Sequence, residues 1–392
     1  MEQLYETPVV YPVSEDDHTG IKALFYRGVP YQGKETRVFA YVGVPQHASL
    51  ERKVPAIVLV HGGAGTAFSE WVRLWMDRGY AAIAMDLEGQ VPFQLKEQEG
   101  TTEWPSHSWS GPVKQGVFAD YRMPVEDQWM YHAVSAAVLA HSLIRSIPGV
   151  DKSQIGMTGI SWGGIITSLV AGLDKRLSYA MPIYGCGFLY EPGTGYGLGF
   201  AAMPPTEADR FRLLWDPSTY LPESHLPMLW LNGSNDSHFP LSIFIKSYEL
   251  NKNCNPNSRL SLHHGLGHSY SDAWACEEPY AFADSVTKGN PSFVDIMEVD
   301  QQRDWVGVRY ASSIPVEKAI LYWCRDDSDW RTARWEPIPA QLDEIEGSFT
   351  ASACLPESGG TFFMNLINDR GWTTSTRVMT DNRKTSILHD AT

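Results

Sequence analysis

The fold can be worked out from one stretch, VDKSQIGMTGISWGGIITSL, which covers residues Val150–Leu169. Its first part predicts a short strand, and its last part predicts a helix of small and apolar residues. Ser161 lies at the change between them, flanked by Gly159 and Gly163. Two interpretations are open: the glycines only let a strand turn into a helix, or the turn projects the Ser161 hydroxyl as a nucleophile.

Further strands and helices alternate along the chain on both sides of this turn. Apolar runs that predict buried strands are Ala56–Val60, Tyr80–Asp86, Gln154–Thr158, Tyr179–Tyr184, Met228–Leu231 and Leu260–His263. Apolar residues at helical spacing separate most of these runs. This alternation predicts an α/β fold in which a mostly parallel sheet is covered by helices on both faces.

The pattern changes near residue 290. From Phe293 onward, short alternating runs are separated by turn residues about every ten positions, without a helical stripe. We therefore predict an α/β catalytic domain at residues 1–290 and a smaller C-terminal all-β sandwich domain at residues 291–392. Two insertions rich in glycine and proline, about 88–122 and 185–227, are expected near the active site.

Composition narrows the function classes. The chain has 392 residues, with 31 Lys and Arg against 46 Asp and Glu, and a net charge of −15. A broad basic face for nucleic acid or an anionic membrane is therefore not expected. The five cysteines include no CxxC pair, so neither a zinc knuckle nor a disulfide framework is predicted. No signal peptide or membrane span is visible, and we expect a cytoplasmic location.

A serine nucleophile needs a histidine base and a carboxylate that orients the base. In this kind of sheet the acid and then the histidine follow later strands. Asp236 comes directly after the predicted strand Met228–Leu231, and His268 follows Leu260–His263. The order Ser161, Asp236, His268 therefore predicts a catalytic triad.

Backbone N–H groups are the usual stabilisers of the oxyanion that forms when serine attacks an ester. One donor is expected to be Trp162, which follows the nucleophile at the start of a helix. The second is expected in the HGGAG loop after Ala56–Val60, where we choose Gly63, with Ala64 as the alternative.

Three histidines, His263, His264 and His268, raise the alternative of a metal site. No Asp or Glu stands at ligand spacing among them, and the first two are explained as residues at a strand end. We therefore predict no metal and no cofactor.

These motifs together resemble the α/β-hydrolase superfamily. Over residues about 50–290 the chain is similar to the branch of acetyl xylan esterases and dienelactone hydrolases, through VLVHGGAG, VDKSQIGMTGISWGG, NGSNDSHFP and GLGHS. Dienelactone hydrolases use a cysteine nucleophile, so Ser161 points toward the serine esterases. The resemblance implies a triad and an oxyanion hole at the positions given above, and it leaves the acyl and alcohol groups open.

Aromatic residues are dense in the two insertions. Those considered as a pocket wall or a platform for sugar rings are Trp104, Trp109, Phe118, Phe188 and Tyr190. The competing interpretation is that they pin the loops to the body of the protein. Arg122 could bind a substrate carboxylate, or it could form an ordinary surface ion pair.

The residues predict a serine carboxylesterase that acts on a small or carbohydrate-linked ester through an acyl-enzyme. One alternative is a peptidase or amidase of the prolyl-peptidase kind, with Glu70 or Glu88 binding a free amine. Another is a non-catalytic binding protein on a hydrolase scaffold. The expected partner is a small-molecule ester, with no nucleic acid or membrane, and a homo-oligomer is possible.

Overall fold

The computed structural model describes residues 2–13, 20–92, 96–98, 101–291, 293–302, 304–325, 329–345 and 348–381. Small parts of the predicted insertion 88–122 and of the predicted sandwich, including 382–392, lie outside these residues. The chain divides into two compact units, Met1–Met228 with Glu249–Asn257 and Leu229–Tyr248 with Ser258–Thr392. This division does not coincide with residue 290, and the domain boundary there stays a prediction.

The first unit contains the N-terminal strands and most of the helices. Its strands are β1 (Val10–Pro12), β2 (Ile21–Arg27), β3 (Arg37–Gly43), β4 (Val54–Val60), β5 (Ala81–Met85), β6 (Lys96–Gln98), β7 (Thr101–Glu103), β8 (Val150–Ile160) and β9 (Tyr179–Ile183). Its helices are α1 (Ser69–Met76), α2 (Trp129–Ser146), α3 (Trp162–Leu173), α4 (Gly195–Ala201) and α5 (Pro205–Trp215).

The sheet of this unit runs in the order β1, β2, β3, β5, β4, β8, β9. The first three strands are antiparallel to their neighbours, whereas β5, β4, β8 and β9 pair in parallel. Every residue of β4, β5 and β9 is buried. Strands that are buried on both faces read as continuous apolar runs, which is why the sequence pattern located them.

A buried polar network holds the end of α3 against α2. The carboxylate of Asp174, fully buried at the end of α3, accepts hydrogen bonds from His141 Nδ1 at 2.8 Å and from the guanidinium of Arg176 at 2.6 Å. Burial alone would raise the pKa of Asp174, but the bonds from Arg176 and His141 bring it well below its usual range. A paired buried carboxylate is strongly oriented, so this network fixes the helix that begins directly after Ser161.

The second unit begins with two parallel strands, β10 (Leu229–Gly233) and β11 (Arg259–His263), which pair from Leu229 with Arg259 onward. Its short helices are α7 (Tyr270–Ala275) and α8 (Glu278–Thr287). Along the chain, the helix α6 (Leu241–Cys254) connects these two strands, and its residues belong to both units.

The C-terminal strands of the second unit form one antiparallel sheet. They are β12 (Asp295–Gln301), β13 (Trp305–Ala311), β14 (Val316–Cys324), β15 (Glu336–Ile345), β16 (Ser348–Cys354), β17 (Gly360–Asn368), β18 (Thr373–Ser375) and β19 (Met379–Asp381). The order is β12, β13, β16, β15, β14, β17, β18, with β19 beside β17.

The long strand β15 joins the two halves of this sheet. Its residues 336–340 pair with β14, and its residues 341–345 pair with β16. Side chains from both halves, such as Val308 and Ala351 on one side and Leu321 and Phe362 on the other, belong to a single buried core. The predicted fold class, an α/β-hydrolase sheet with a smaller C-terminal all-β domain, is confirmed. Among the described residues, no helix is both long and apolar enough to cross a membrane.

Candidate active site

Ser161 occupies a strained turn between β8 and α3. Its backbone angles are φ 57° and ψ −115°, which a residue with a side chain rarely adopts. The turn is held by a hydrogen bond from the Ser161 N–H to the carbonyl of Ile183 at 2.9 Å. Such strain costs of order 1–3 kcal/mol and persists where the surrounding structure enforces it, most often at functional sites.

The glycines on either side of Ser161 are required by close packing. A Cβ added to Gly159 would lie 2.1 Å from the carbonyl oxygen of Gly163, and a Cβ on Gly163 would lie 2.0 Å from that of Val60. Real Cβ atoms do not approach carbonyl oxygens so closely. The helix α3 can therefore pack against β8 and β4 only because both positions lack a side chain.

The predicted oxyanion residues lie close together in the first unit. Trp162 is the first residue of α3, and the first N–H groups of a helix have no acceptor within the helix. A Cβ on Gly63 would lie 3.1 Å from Cδ1 of the Trp162 indole, so the Gly63 main chain packs directly against it. Ala64, the alternative donor, has φ 57°, and its carbonyl accepts a hydrogen bond from Trp104 Nε1 at 3.3 Å.

His61 fixes the start of the glycine loop. Its Nδ1 lies 2.7 Å from the Gly62 carbonyl, and its Nε2 accepts the N–H of Leu87 at 2.8 Å. Burial lowers the pKa of His61 to about 4. This effect is larger than that of the contact with the Gly62 carbonyl, which raises the pKa. The ring is therefore neutral near pH 7, with the proton on Nδ1, and it holds the loop that carries Gly63 rather than serving as a base.

Asp236 and His268 form a hydrogen-bonded pair in the second unit. Oδ2 of Asp236 lies 2.5 Å from Nδ1 of His268. The other oxygen, Oδ1, accepts the N–H groups of His238 at 2.8 Å and Phe239 at 2.7 Å. The carboxylate is almost fully buried, whereas the imidazole is 15% exposed. Such an arrangement orients the imidazole of His268 through its Nδ1.

Other rings surround His268. His238 contacts it edge-on at 4.6 Å between centroids, and Phe239 stacks at 6.2 Å. Burial, followed by the nearby charge of His268, lowers the pKa of His238. The two rival histidines are engaged elsewhere: Nε2 of His263 pairs with Glu278 at 3.2 Å, and His264 packs on Tyr322.

Phe118 lies beside the turn, whereas Trp109 is attached to the N-terminal strands. Phe118 is buried and contacts Trp162 edge-on at 5.5 Å, within a cluster that also contains Tyr196, Phe200 and Phe211. Trp109 is 42% exposed. The guanidinium of Arg37 lies over its ring, 4.2 Å from the ring centroid. For Trp109 the structure thus supplies the contact that the loop-pinning interpretation describes.

The remaining predicted pocket residues belong to the second insertion and the end of the first. Phe188 has φ 58°, and its N–H donates to Asp216 at 2.9 Å. Tyr190 contacts Phe200 and lies under Arg212 at 5.3 Å. Arg122 is exposed and lies over the ring of its neighbour Tyr121 at 5.2 Å.

Lys114 is a residue that the sequence analysis missed. Its ammonium lies 4.9 Å from the centroid of Trp162 and 3.7 Å from the position of a Cβ on Gly63. It also pairs with Glu88 at 3.5 Å, and both side chains are largely buried. No local pattern marks Lys114, because it lies in an irregular segment of mixed composition and reaches the turn only through the path of the insertion.

His263, Cys276 and Glu278 form the one group within the described ranges with the donor set of a metal site. Their donor atoms already have other partners. Nε2 of His263 contacts the Ser261 hydroxyl at 3.0 Å, and Glu278 accepts the N–H of Thr373 at 3.1 Å. Burial and nearby carboxylates raise the pKa of Cys276 to about 12, which opposes the thiolate that a metal requires. The group is therefore better explained as a buried hydrogen-bonded network.

Comparison with known proteins shows similarity to esterases and peptidases. Residues 8–191 match the family described as Acetyl xylan esterase (AXE1). The solved acetyl xylan esterase from Paenibacillus sp. R4 has a TM-score of 0.54 and 19% identity, over 73% of this chain and 92% of that one. The acylaminoacyl peptidase of Pyrococcus horikoshii has a TM-score of 0.51 and 16% identity, over 70% of this chain and 43% of that one.

Among curated proteins, the uncharacterized peptidase YuxL of Bacillus subtilis (strain 168) is 24% identical over 212 residues, which are 50% of this chain. The match spans only 28% of the length of that relative. The family match contains the glycine loop and the strained Ser161 turn. The chain therefore has the α/β-hydrolase fold, and its residues 8–191 are similar to the acetyl xylan esterase family.

Proposed function

We propose that this chain is a serine carboxylesterase that hydrolyses a small or carbohydrate-linked ester. The observation that carries the proposal is the backbone of Ser161, held at φ 57° directly before α3 and between two glycines that cannot bear a side chain. A serine held in this way projects its hydroxyl from the turn. The pair of Asp236 and His268 supplies the base that the hydroxyl needs.

In this mechanism Oγ of Ser161 attacks the carbonyl carbon of the ester, and Nε2 of His268 takes the hydroxyl proton. Asp236 holds the ring and stabilises the imidazolium. The N–H groups of Trp162 and Gly63 bind the oxyanion. The C–O bond to the alcohol then breaks, and the alkoxide leaves with the proton from His268.

The second half of the reaction releases the acid. His268 takes a proton from water, and the resulting hydroxide attacks the acyl group bound to Ser161. The bond to Oγ breaks, and the proton on His268 returns to the serine. No cofactor or metal enters either half.

The aromatic cluster around Phe118 supports a small acyl group. Phe118 and Tyr196 already pack against Trp162, with ring centroids 5.5 and 5.2 Å away. The match to acetyl xylan esterases over residues 8–191 supports an acetyl group on a carbohydrate. Trp104, Phe188 and Tyr190 remain candidates for contacts with the alcohol part.

The peptidase alternative draws support from the acylaminoacyl peptidase and YuxL matches. An aminopeptidase needs an unpaired carboxylate that captures a free amine. Glu88 does not suit that task, because its carboxylate is neutralised by Lys114 at 3.5 Å. Glu70, on the first turn of α1, contacts the hydroxyl of Ser69 at 3.4 Å and remains the candidate for that role.

A substrate panel tests the proposal. The panel contains p-nitrophenyl acetate and octanoate, an acetylated xylo-oligosaccharide and an aminoacyl p-nitroanilide, each assayed with the wild type and His268→Ala. We expect kcat/KM for the acetate to exceed that for the octanoate by at least about tenfold, because Phe118 and Tyr196, packed against Trp162, should leave no room for a long acyl chain. Every rate should collapse in His268→Ala. Faster cleavage of the anilide than of the acetyl esters would favour the peptidase, and ligand binding without turnover would favour a non-catalytic protein.

A further inference from the structure

The loop that carries Asp236 is attached to the C-terminal all-β sheet. We define the acid loop as residues 234–239 and the tryptophan segment as residues 329–335, which directly precedes β15. Nε1 of Trp330 donates a hydrogen bond to the main-chain carbonyl of Asp236 at 2.5 Å. Nδ2 of Asn235 donates in the opposite direction, to the carbonyls of Trp330 at 2.9 Å and Ala333 at 2.8 Å.

These bonds are reciprocal and involve adjacent residues of the acid loop. The side chain of Trp330 binds the backbone of Asp236, and the side chain of Asn235 binds the backbone of Trp330. The amide of Asn235 is oriented further because its Oδ1 accepts the hydroxyl of Ser234 at 2.8 Å. A pair of crossed side-chain bonds fixes both the position and the rotation of the peptide that bears the carboxylate.

Local bonds hold the start of the tryptophan segment, and packing holds its end. Oδ1 of Asp329 accepts the backbone N–H of Arg331 at 3.1 Å and the Nε of the same residue at 2.8 Å. At the other end Trp335 is buried and packs edge-on against Phe363 of β17, with centroids 5.1 Å apart. The segment therefore transmits the position of the all-β sheet to the acid loop.

The ends of the acid loop are held by the Ser234 N–H, which donates to the His263 carbonyl at 2.9 Å, and by Nδ2 of Asn232, which donates to the Phe239 carbonyl at 3.1 Å. The carboxylate itself is bound mostly within the loop. Oδ1 of Asp236 is bound by the N–H groups of His238 and Phe239, which belong to the same loop and move with it. Only Oδ2 reaches His268 on another segment, at 2.5 Å. A shift of the loop as a whole would therefore carry the carboxylate away from the histidine, and small misplacements of catalytic groups are costly.

We propose that Trp330 and Asn235 are positioning residues. Through them the C-terminal all-β sheet holds the carboxylate of Asp236 within hydrogen-bonding distance of His268. This proposal rests on the proposed function, since it assigns the pair to ester hydrolysis. It gives the appended sheet a part in the reaction without any contact with the substrate.

The test compares two tryptophan variants of the full-length chain. Trp330→Phe keeps an aromatic ring and removes the indole N–H that binds Asp236. Trp335→Phe is the matched control, because its buried Nε1 has no acceptor among the described residues. We expect Trp330→Phe to lower kcat for p-nitrophenyl acetate by about tenfold or more, with KM unchanged within about twofold. Trp335→Phe should leave kcat near the wild-type value once the folded fraction is taken into account.

A spectroscopic measurement separates positioning from stability. The proton between His268 and Asp236 should give a strongly downfield ¹H resonance that His268→Ala abolishes. Trp330→Phe should broaden or move this resonance, and Trp335→Phe should not. Asn235→Asp, which turns a donor into a carboxylate facing two carbonyl oxygens, should repeat the effect if Trp330→Phe fails to fold.

Equal kcat values and an unchanged resonance in the two tryptophan variants would overturn the proposal, as would a rise in KM alone. Failure of the proposed function would give a different result from failure of the positioning proposal. In that case the wild type lacks esterase activity or His268→Ala retains it, while the downfield resonance still reports whether Trp330 positions the pair.

Discussion

Replacing Ser161 with alanine is expected to lower kcat/KM for p-nitrophenyl acetate by about 10⁴-fold or more, because no other group would form the acyl-enzyme. The hydroxyl does not hold the backbone of the turn. The turn is held by the hydrogen bond from the Ser161 N–H to the carbonyl of Ile183. The variant should therefore fold normally. Steady-state kinetics together with a urea unfolding curve would check both halves of this prediction.

Ser153→Ala is the matched control for this experiment. Ser153 lies on the same strand, β8, is exposed, and bonds only locally to Asp151. Its loss should leave kcat/KM near the wild-type value. Ester hydrolysis that persists in Ser161→Ala at more than about a hundredth of the wild-type rate would mean that another nucleophile or an activated water performs the reaction.

The second large effect is expected on stability, from Gly163→Ala. The added methyl would lie 2.0 Å from the carbonyl oxygen of Val60 and 2.7 Å from that of His61. Backbone oxygens of a buried strand cannot move aside cheaply, so α3 must shift away from β4. We expect the free energy of unfolding to fall by about 2 kcal/mol or more, as for other overpacked sites. Because the shift also moves Ser161 and the loop of Gly63, esterase activity should fall with it.

Gly195→Ala provides the control for Gly163→Ala. Gly195 begins α4, is exposed, and a Cβ added there would meet nothing within 4 Å. This change should be neutral or slightly stabilising, because alanine has the higher helix propensity. Urea unfolding curves of both variants give the two free energies of unfolding. A Gly163→Ala protein as stable as Gly195→Ala would contradict the packing described for the turn.

The parallel strands could be predicted because their signal is local. The apolar runs Ala56–Val60 and Tyr179–Tyr184 correspond to β4 and β9, in which every residue is buried. The glycines around Ser161 could also be identified, because they stand at the change from a predicted strand to a predicted helix. The contact between Gly159 and Gly163 is local, whereas the close approach of Gly163 to Val60 is not. Continuous burial and tight turns both leave a mark on consecutive residues.

Contacts between distant segments could not be predicted in this way. Trp330 binds the carbonyl of Asp236, 94 positions earlier in the chain, and neither residue has a local pattern that indicates the other. The two insertions show the same limit, because Phe118 and Trp109 come from one aromatic-rich segment. The structure buries Phe118 beside Trp162 and places Trp109 on Arg37. Composition marks such residues, but only the chain path decides which of them lie beside the turn.

The all-β region shows both sides of this limit. Alternation predicted its strands, because one face of each is buried. The structure pairs the first half of β15 with β14 and the second half with β16. This pairing depends on strand register over many residues. A sandwich of separate sheets and a continuous sheet around one core have the same alternating pattern, so the sequence could not distinguish them.

The central claim is that Ser161 is a nucleophile activated by His268. The most direct measurement is covalent labelling with a fluorophosphonate, followed by peptide mass mapping of the wild type and of His268→Ala. We expect one phosphonyl group per chain, located on Ser161, with labelling strongly slowed in His268→Ala. Labelling at another residue, or a rate on Ser161 that does not change when His268 is removed, would contradict it.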